Sequence, residues 1–310
     1  MMVRIAIPYP TPKRRMLASA RGHDARERAG PLHCAAMPMV ILALTVTALL
    51  AALLLPAPLR RRRRARLFAR PAPVAWPAWL AREVPLYRAL PEALRAQLHG
   101  HMQVFLAEKR FVGCNGLEVD DDMRLVIAAQ ACMLLLNRGG DYFPGFATIL
   151  VYPESFVVPV TTRDGPLETH DEEVRSGESW HLGPVVLSWE DIRHGTTLAG
   201  DGYNVVLHEF AHKLDEENGV MDGVPALRDD ATQARWIDVL GREYDLLRLR
   251  ARNVTEVVLD GYGAHSPAEF FAVATEAFFE RGGELSARHP RLYEALREFY
   301  PVDPATWSRA

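Results

Sequence analysis

The spacing of apolar positions changes along this chain, and each change marks out an element. Residues 39–55 form one uncharged, mostly apolar run of 17 residues, at the short end of what a membrane-spanning helix needs. From Leu86 to Leu106 apolar residues recur at helical spacing, interrupted at Pro91. Asp120–Leu136 has acidic residues in its first turn, a dense apolar body and a stop at Asn137-Arg-Gly-Gly140, which predicts a strong helix. Phe146–Tyr152 and Ser155–Thr161 are β-branched and aromatic runs parted by Pro153-Glu154, the pattern of a hairpin. The acidic stretch Leu167–Gly177 is expected as a loop, Gly183–Trp189 as a further strand and Glu190–Gly195 as a short helical turn. Helical spacing returns in Tyr203–Asp215, Ala231–Arg252, Ser266–Glu280 and Pro290–Phe299, with glycine turns between them. Helices gathered around a small sheet, without repeated strand–helix–strand units, predict an α+β fold.

Charge divides the chain in two. Residues 1–75 carry 14 Lys and Arg against 2 Asp and Glu, whereas residues 76–310 carry 22 against 37. The acidic part is a poor partner for duplex nucleic acid. Arg60–Arg64 follow the apolar run, where positive charge resists translocation. A cleaved signal peptide has its charge before the apolar run instead. The expectation is a single-pass anchor in the inner membrane, N-terminus outside and the bulk of the chain in the cytoplasm; a wholly cytoplasmic protein is the alternative. Residues 1–36 lack periodicity, and Met37 directly before the apolar run suggests a later natural start. The expected organisation is thus 1–36 as an unstructured extension, 37–58 as anchor, 59–85 as basic segment and Pro-rich linker, and 86–310 as the main folded domain. Cys34, Cys114 and Cys132 are an odd number with no C-x-x-C, which argues against a disulfide scaffold and a cysteine zinc site.

Candidate chemistry concentrates in His208-Glu209-Phe-Ala-His212. Residues four apart on a helix share a face, so both imidazoles can reach one metal ion while Glu209 stands beside a bound water. Val205, Val206, Leu207, Phe210, Ala211 and Leu214 make this helix apolar on most sides. Two histidines and a glutamate placed there are costly unless paired or metal-bound. A catalytic zinc takes three protein ligands and leaves one open position. The metzincin continuation requires Gly and His at positions occupied by Asp215 and Asn218, so it fails. Glu269 and Glu276 share a face of the apolar helix Ser266–Glu280, and these two carboxylates with His265 are the candidates for the third ligand. Against Glu269 stands a capping-box reading of Ser266-Pro-Ala-Glu269. Asp215 is either an acceptor that orients an imidazole or a helix-end acid. Tyr262, in a Gly-Tyr-Gly turn, is either an oxyanion donor or a packed turn residue.

Several motifs together resemble one family. His208-Glu-Phe-Ala-His-Lys-Leu-Asp215, Gly183-Pro-Val-Val-Leu-Ser-Trp189, Glu108-Lys-Arg-Phe-Val-Gly-x-x-Gly116 and Tyr262-Gly-x-x-Ser-Pro-Ala-Glu269 are similar to the Mlc titration factor A family of zinc metallopeptidases, over about Leu86 to Tyr300. The resemblance implies a mostly helical, zincin-like fold of the gluzincin type, akin to the catalytic domain of anthrax lethal factor. It implies one Zn2+ per chain held by His208, His212 and Glu269, with Glu209 as catalytic base and Tyr262 as active-site tyrosine. It also implies aminopeptidase activity on a peptide or protein substrate, and binding of the repressor Mlc by the founding type. By analogy with other metallopeptidases, the strand Val185–Trp189 is expected to pair with an extended substrate. The alternative class is a metal-containing binding protein that captures a regulator without turnover.

Overall fold

A computed structural model describes residues 56–164, 167–175, 177–179, 183–197, 200–250 and 258–307. The described residues from Arg60 onward belong to one compact unit, Arg60–Ala310, and the first helix runs into it from Pro56. Its first helices are α1 (Pro56–Phe68), α2 (Trp76–Glu83), α3 (Pro85–Ala89) and α4 (Glu92–Glu108). The Pro-rich stretch 71–85, expected as a linker, is therefore largely helical. Its prolines start helices instead of preventing them: Pro77 and Pro85 occupy first-turn positions, where a missing N–H costs nothing. Leu80 and Val84 are buried in the core.

The single-pass membrane placement expected above is corrected here. No helix among the described residues is long and apolar enough to cross a membrane. The run 39–55, on which that expectation stood, lies outside the described residues, as does 1–36. The arginine block behind it is docked on the domain. Arg64 forks onto both carboxylate oxygens of Glu108 at 2.9 and 2.8 Å and also bonds Asp141. Phe68 leans on Gly100, where a Cβ would lie 2.8 Å from its ring.

β1 (Arg110–Gly113) leads into α5 (Asp121–Met133), whose N-cap Asp120 accepts the Met123 N–H at 2.8 Å. Then come β2 (Thr148–Tyr152), β3 (Phe156–Asp164), β4 (Leu167–Arg175), β5 (Gly177–Ser179) and β6 (Val185–Ser188). The main sheet has the order β1-β2-β6-β5, with β5 antiparallel to β6 and the other pairs parallel. The predicted hairpin does not form. β2 pairs with β1 and β6, while β3 pairs with β4 in a separate two-stranded ribbon, from Phe156↔Arg175 to Asp164↔Leu167. Pro153-Glu154 signals a break in the chain but not which strand lies across it. β4, expected as a loop, reads Leu-Glu-Thr-His-Asp-Glu-Glu-Val-Arg and lacks the apolar alternation that marks a half-buried strand. The strand at 185–188 has neighbours on both sides, so the expected pairing of substrate with it is corrected: its backbone ladder is occupied, and β5 is the terminal strand.

The remaining helices are α6 (Trp189–Thr197), α7 (Val205–Asp215), α8 (Asp230–Arg250), α9 (Pro267–Glu280), α10 (Gly282–Arg288) and α11 (Pro290–Phe299). The fold is α+β and mostly helical. Its core packs α7 against α5, α9 and the sheet. An aromatic cluster of Phe271, Phe278, Phe279, Phe299 and Tyr300 holds α9 to α11. Burial of that many rings fixes α9 as a rigid rod, with about 25 cal/mol stabilisation per Å2 of apolar surface removed from water.

Candidate metal centre

The site is built where α7 crosses α9. Asn204 caps α7, its Oδ1 accepting the Leu207 N–H at 3.1 Å, and the helix then buries every apolar residue of the motif. Ser266 caps α9 in the same way, its Oγ accepting the Glu269 N–H at 3.1 Å. Only the serine half of the expected capping box is made. The Glu269 backbone belongs to the cap, and its carboxylate turns away toward the two histidines.

His208 Nε2, His212 Nε2 and Glu269 Oε2 form a triangle. The edges are 3.3 Å between the imidazoles, 3.4 Å from His212 to Glu269, and 2.9 Å from His208 to Glu269. Ligand atoms about 2.0–2.1 Å from a zinc ion at tetrahedral corners stand about 3.3–3.4 Å apart. Two edges match this, and the third is a hydrogen-bond length. Two imidazole nitrogens and a carboxylate oxygen are a donor set that suits a divalent cation. Among the described residues this is the one cluster of His, Cys, Asp and Glu able to hold a metal.

The other candidates fall elsewhere. Glu276 Oε1 meets Nδ1 of His208, the nitrogen away from the triangle, at 2.6 Å. A carboxylate accepts, so Nδ1 carries a proton, which leaves Nε2 as the nitrogen that would give its lone pair to a metal once its own proton has left. His265 is turned back on the Tyr262 carbonyl at 2.7 Å and is not in the cluster. Glu209 is buried one residue beyond His208, and its charge acts on that imidazole. Tyr262 lies in a 3-10 turn (Gly261–Ala264), 37% exposed, its ring centroid 6.0 Å from that of His208. Asp215 is fully buried and accepts the Gly223 N–H at 2.7 Å.

Electrostatics follow from this packing. Burial opposes a charged imidazole at His208, but Glu276 and Glu269 outweigh it and push its pKa well above the usual value. Burial likewise raises the Glu269 carboxyl, yet hydrogen bonds from His208 and His212 win and hold it well below the usual carboxylate range. Metal ligands must be deprotonated, so a cation entering here displaces a proton from His208. Other histidines pair elsewhere, two of them buried instead of at the surface: His99 meets Tyr87, while the buried His101 meets Tyr142 and the buried His289 meets Glu243. The side chains of His170 and His181 lie outside the described residues.

Three residues at the site escaped the sequence reading. Asn204 carried a visible signal, an N-cap residue type directly before an apolar helix. Glu280 lies four residues beyond Glu276 on the same stripe and bonds Asn204 Nδ2 at 3.0 Å. Gly223 carries a positive φ of 81°, and a Cβ there would lie 2.4 Å from the Pro267 carbonyl oxygen.

Comparison with known proteins agrees with this chemistry. A family model described as "Glucose-regulated metallo-peptidase M90" matches residues 59–301. An uncharacterized protein of Synechocystis sp. is 43% identical over 244 residues, spanning 78% of this chain and 89% of that one. Proteins named Mlc titration factor A are similar as well. That of Cronobacter sakazakii is 35% identical over 246 residues, 75% of this chain and 88% of its own. One from Escherichia coli is 35% identical over 237 residues, 72% and 85% respectively. Matched along most of its length and carrying a convergent His-His-Glu donor set, the chain belongs to the glucose-regulated metallo-peptidase M90 family.

Proposed function

We propose that this chain is a zinc-dependent aminopeptidase in which His208, His212 and Glu269 hold the metal and Glu209 is the general base. The observation that carries the reading is the triangle of donor atoms with a buried glutamate on the same helix, one residue from the first histidine. A purely structural site needs no base and fills its fourth position with a protein ligand. When bound, the metal supplies Lewis acidity and makes water a competent nucleophile near neutral pH. Glu209 accepts the proton of the attacking water and returns it to the leaving amine. The Tyr262 hydroxyl donates to the oxyanion that develops on the scissile carbonyl. Glu269, half-buried, keeps its charge and would neutralise part of the cation's. The terminal strand β5, packed beside α7, supports a reading in which an extended substrate adds to that edge of the sheet.

The test is turnover of zinc-loaded full-length protein on a panel of aminoacyl amides and blocked peptides. Cleavage of free-amine substrates by the wild type is expected. Glu209→Gln is expected to lower kcat by at least about 10^3 while zinc stays bound, since it removes the base and no ligand. Full activity in that variant refutes the mechanism. A capture role without turnover has one observation in its favour, the name Mlc titration factor A borne by several relatives. A zinc-loaded wild type inert on the whole panel, yet binding a transcriptional regulator, supports that reading instead.

A further inference from the structure

The stripe that carries Glu269 along α9 continues to Glu276 and Glu280, and these two carboxylates have no part in the chemistry proposed above. Both are almost fully buried and stand one turn apart on the same helix. Like charges at that spacing repel, and burying them costs more still. Their four oxygens nevertheless each meet a donor. Glu276 Oε1 takes His208 Nδ1 at 2.6 Å, and Glu276 Oε2 takes the Asn204 backbone N–H at 2.5 Å. Glu280 Oε1 takes the Asn204 side-chain Nδ2 at 3.0 Å, and Glu280 Oε2 takes the Gly200 N–H at 2.9 Å. Three of the four donors lie in the five residues that enter α7, and the fourth is the first histidine of the motif. Asn204 is gripped from both its backbone and its side chain, while its Oδ1 still caps the helix at Leu207. The positive end of the α7 dipole faces the pair, which offsets part of their mutual repulsion.

We infer that Glu276, Glu280 and Asn204 form a clamp that sets the entry of α7, and thereby the rotation and tautomer of His208. They are positioning residues that act through His208 and touch neither substrate nor metal. One rigid helix, α9, then delivers the ligand Glu269 and also aims the ligand His208, so the two cannot drift independently. The inference rests on the metal reading above.

The experiment measures zinc affinity of the full chain by competition with a chromophoric chelator, together with 15N spectra of the zinc-loaded, histidine-labelled protein. Wild type is measured first, because failure to bind zinc overturns the metal reading itself rather than the clamp. Variants are E276L, the isosteric E276Q, E280Q and Asn204→Ser, whose shorter side chain keeps a capping oxygen but loses the amide N–H that reaches Glu280. Loss of an outer partner of a metal-bound histidine typically weakens metal binding about 10- to 100-fold. That range is expected for E276L. About a tenfold loss is expected for E280Q and Asn204→Ser, and a smaller one for E276Q, which retains an acceptor for Nδ1–H. The His208 Nδ1 resonance shifts in E276L, a signature that loss of stability alone does not produce. Zinc affinities for E280Q and Asn204→Ser within twofold of wild type overturn the clamp, as does an unmoved His208 resonance in E276L.

Discussion

The two ends of the metal helix are held by different means. At its N-terminal end, His208 and Asn204 are met by charged side chains from α9, and every carboxylate oxygen there has a donor. At its C-terminal end, the Nδ1 of His212 and the Oδ1 of Asp215 are buried with no hydrogen-bond partner among the described residues. That end is tied to the backbone of the loop that follows, beside a buried Lys213–Glu216 ion pair at 2.8 Å. Asp215 Oδ2 accepts the Gly223 N–H at 2.7 Å, and the Gly223 carbonyl accepts Trp236 Nε1–H at 2.9 Å. Gly223 in turn presses on Pro267, the first residue of the ligand helix. The difference is that His208 is aimed by a carboxylate on its Nδ1, whereas the Nδ1 of His212 has no such partner among the described residues. Perturbations should therefore act differently at each end: side-chain changes at the first move metal affinity, and backbone changes at the second move stability.

Gly223→Ala is the strongest break at the C-terminal end. It combines a positive φ with a backbone clash at 2.4 Å, and a loss of about 2–4 kcal/mol is expected. Urea unfolding of the metal-free protein measures it; a variant as stable as wild type contradicts the account of this end.

Asp215→Asn sharpens the comparison through pH. Burial pushes the Asp215 carboxyl up to about 6, against the Gly223 hydrogen bond and the field of His212. The folded state thus holds this proton more tightly than the unfolded chain, so stability from this group is present at low pH and lost as pH rises from about 4 to 6. A shift of roughly two units corresponds to about 3 kcal/mol. The difference in unfolding free energy between wild type and Asp215→Asn, both metal-free, should change by about that amount between pH 4 and pH 7. Parallel pH profiles for the two proteins would refute it.

Ser266→Ala gives the smallest effect. It removes the cap of α9 without touching the Glu269 carboxylate, so about 1 kcal/mol of stability is expected to go, with zinc stoichiometry unchanged. Loss of zinc in this variant shows instead that cap and ligand are one unit.

The legibility of these features in the sequence follows their range. His208, Glu209 and His212 lie within one turn and a half, and their spacing carries the chemistry directly. Glu269 and Glu276 stood out as carboxylates on an apolar helix, but which of them faces the metal depends on the rotation of α9 against α7. No local pattern holds that rotation; the aromatic packing of Phe271, Phe278 and Phe279 sets it. Strand β4 was hidden because its pairing is made by backbone alone, through a polar sequence. The helices at 76–89 were hidden because proline at a first helical turn reads locally like proline in a linker. The sequence around β2 marks a strand but not its neighbour, since the partner in a parallel pair lies far along the chain.

The central claim is that α7 and α9 together form one metal site with Glu269, not Glu276, as the third ligand. Zinc stoichiometry by elemental analysis of purified Glu269→Ala and E276L proteins tests it most directly. The account predicts that Glu269→Ala loses its zinc while E276L still binds one ion per chain at weakened affinity. Full zinc in Glu269→Ala, with loss confined to E276L, would reassign the ligand and contradict it.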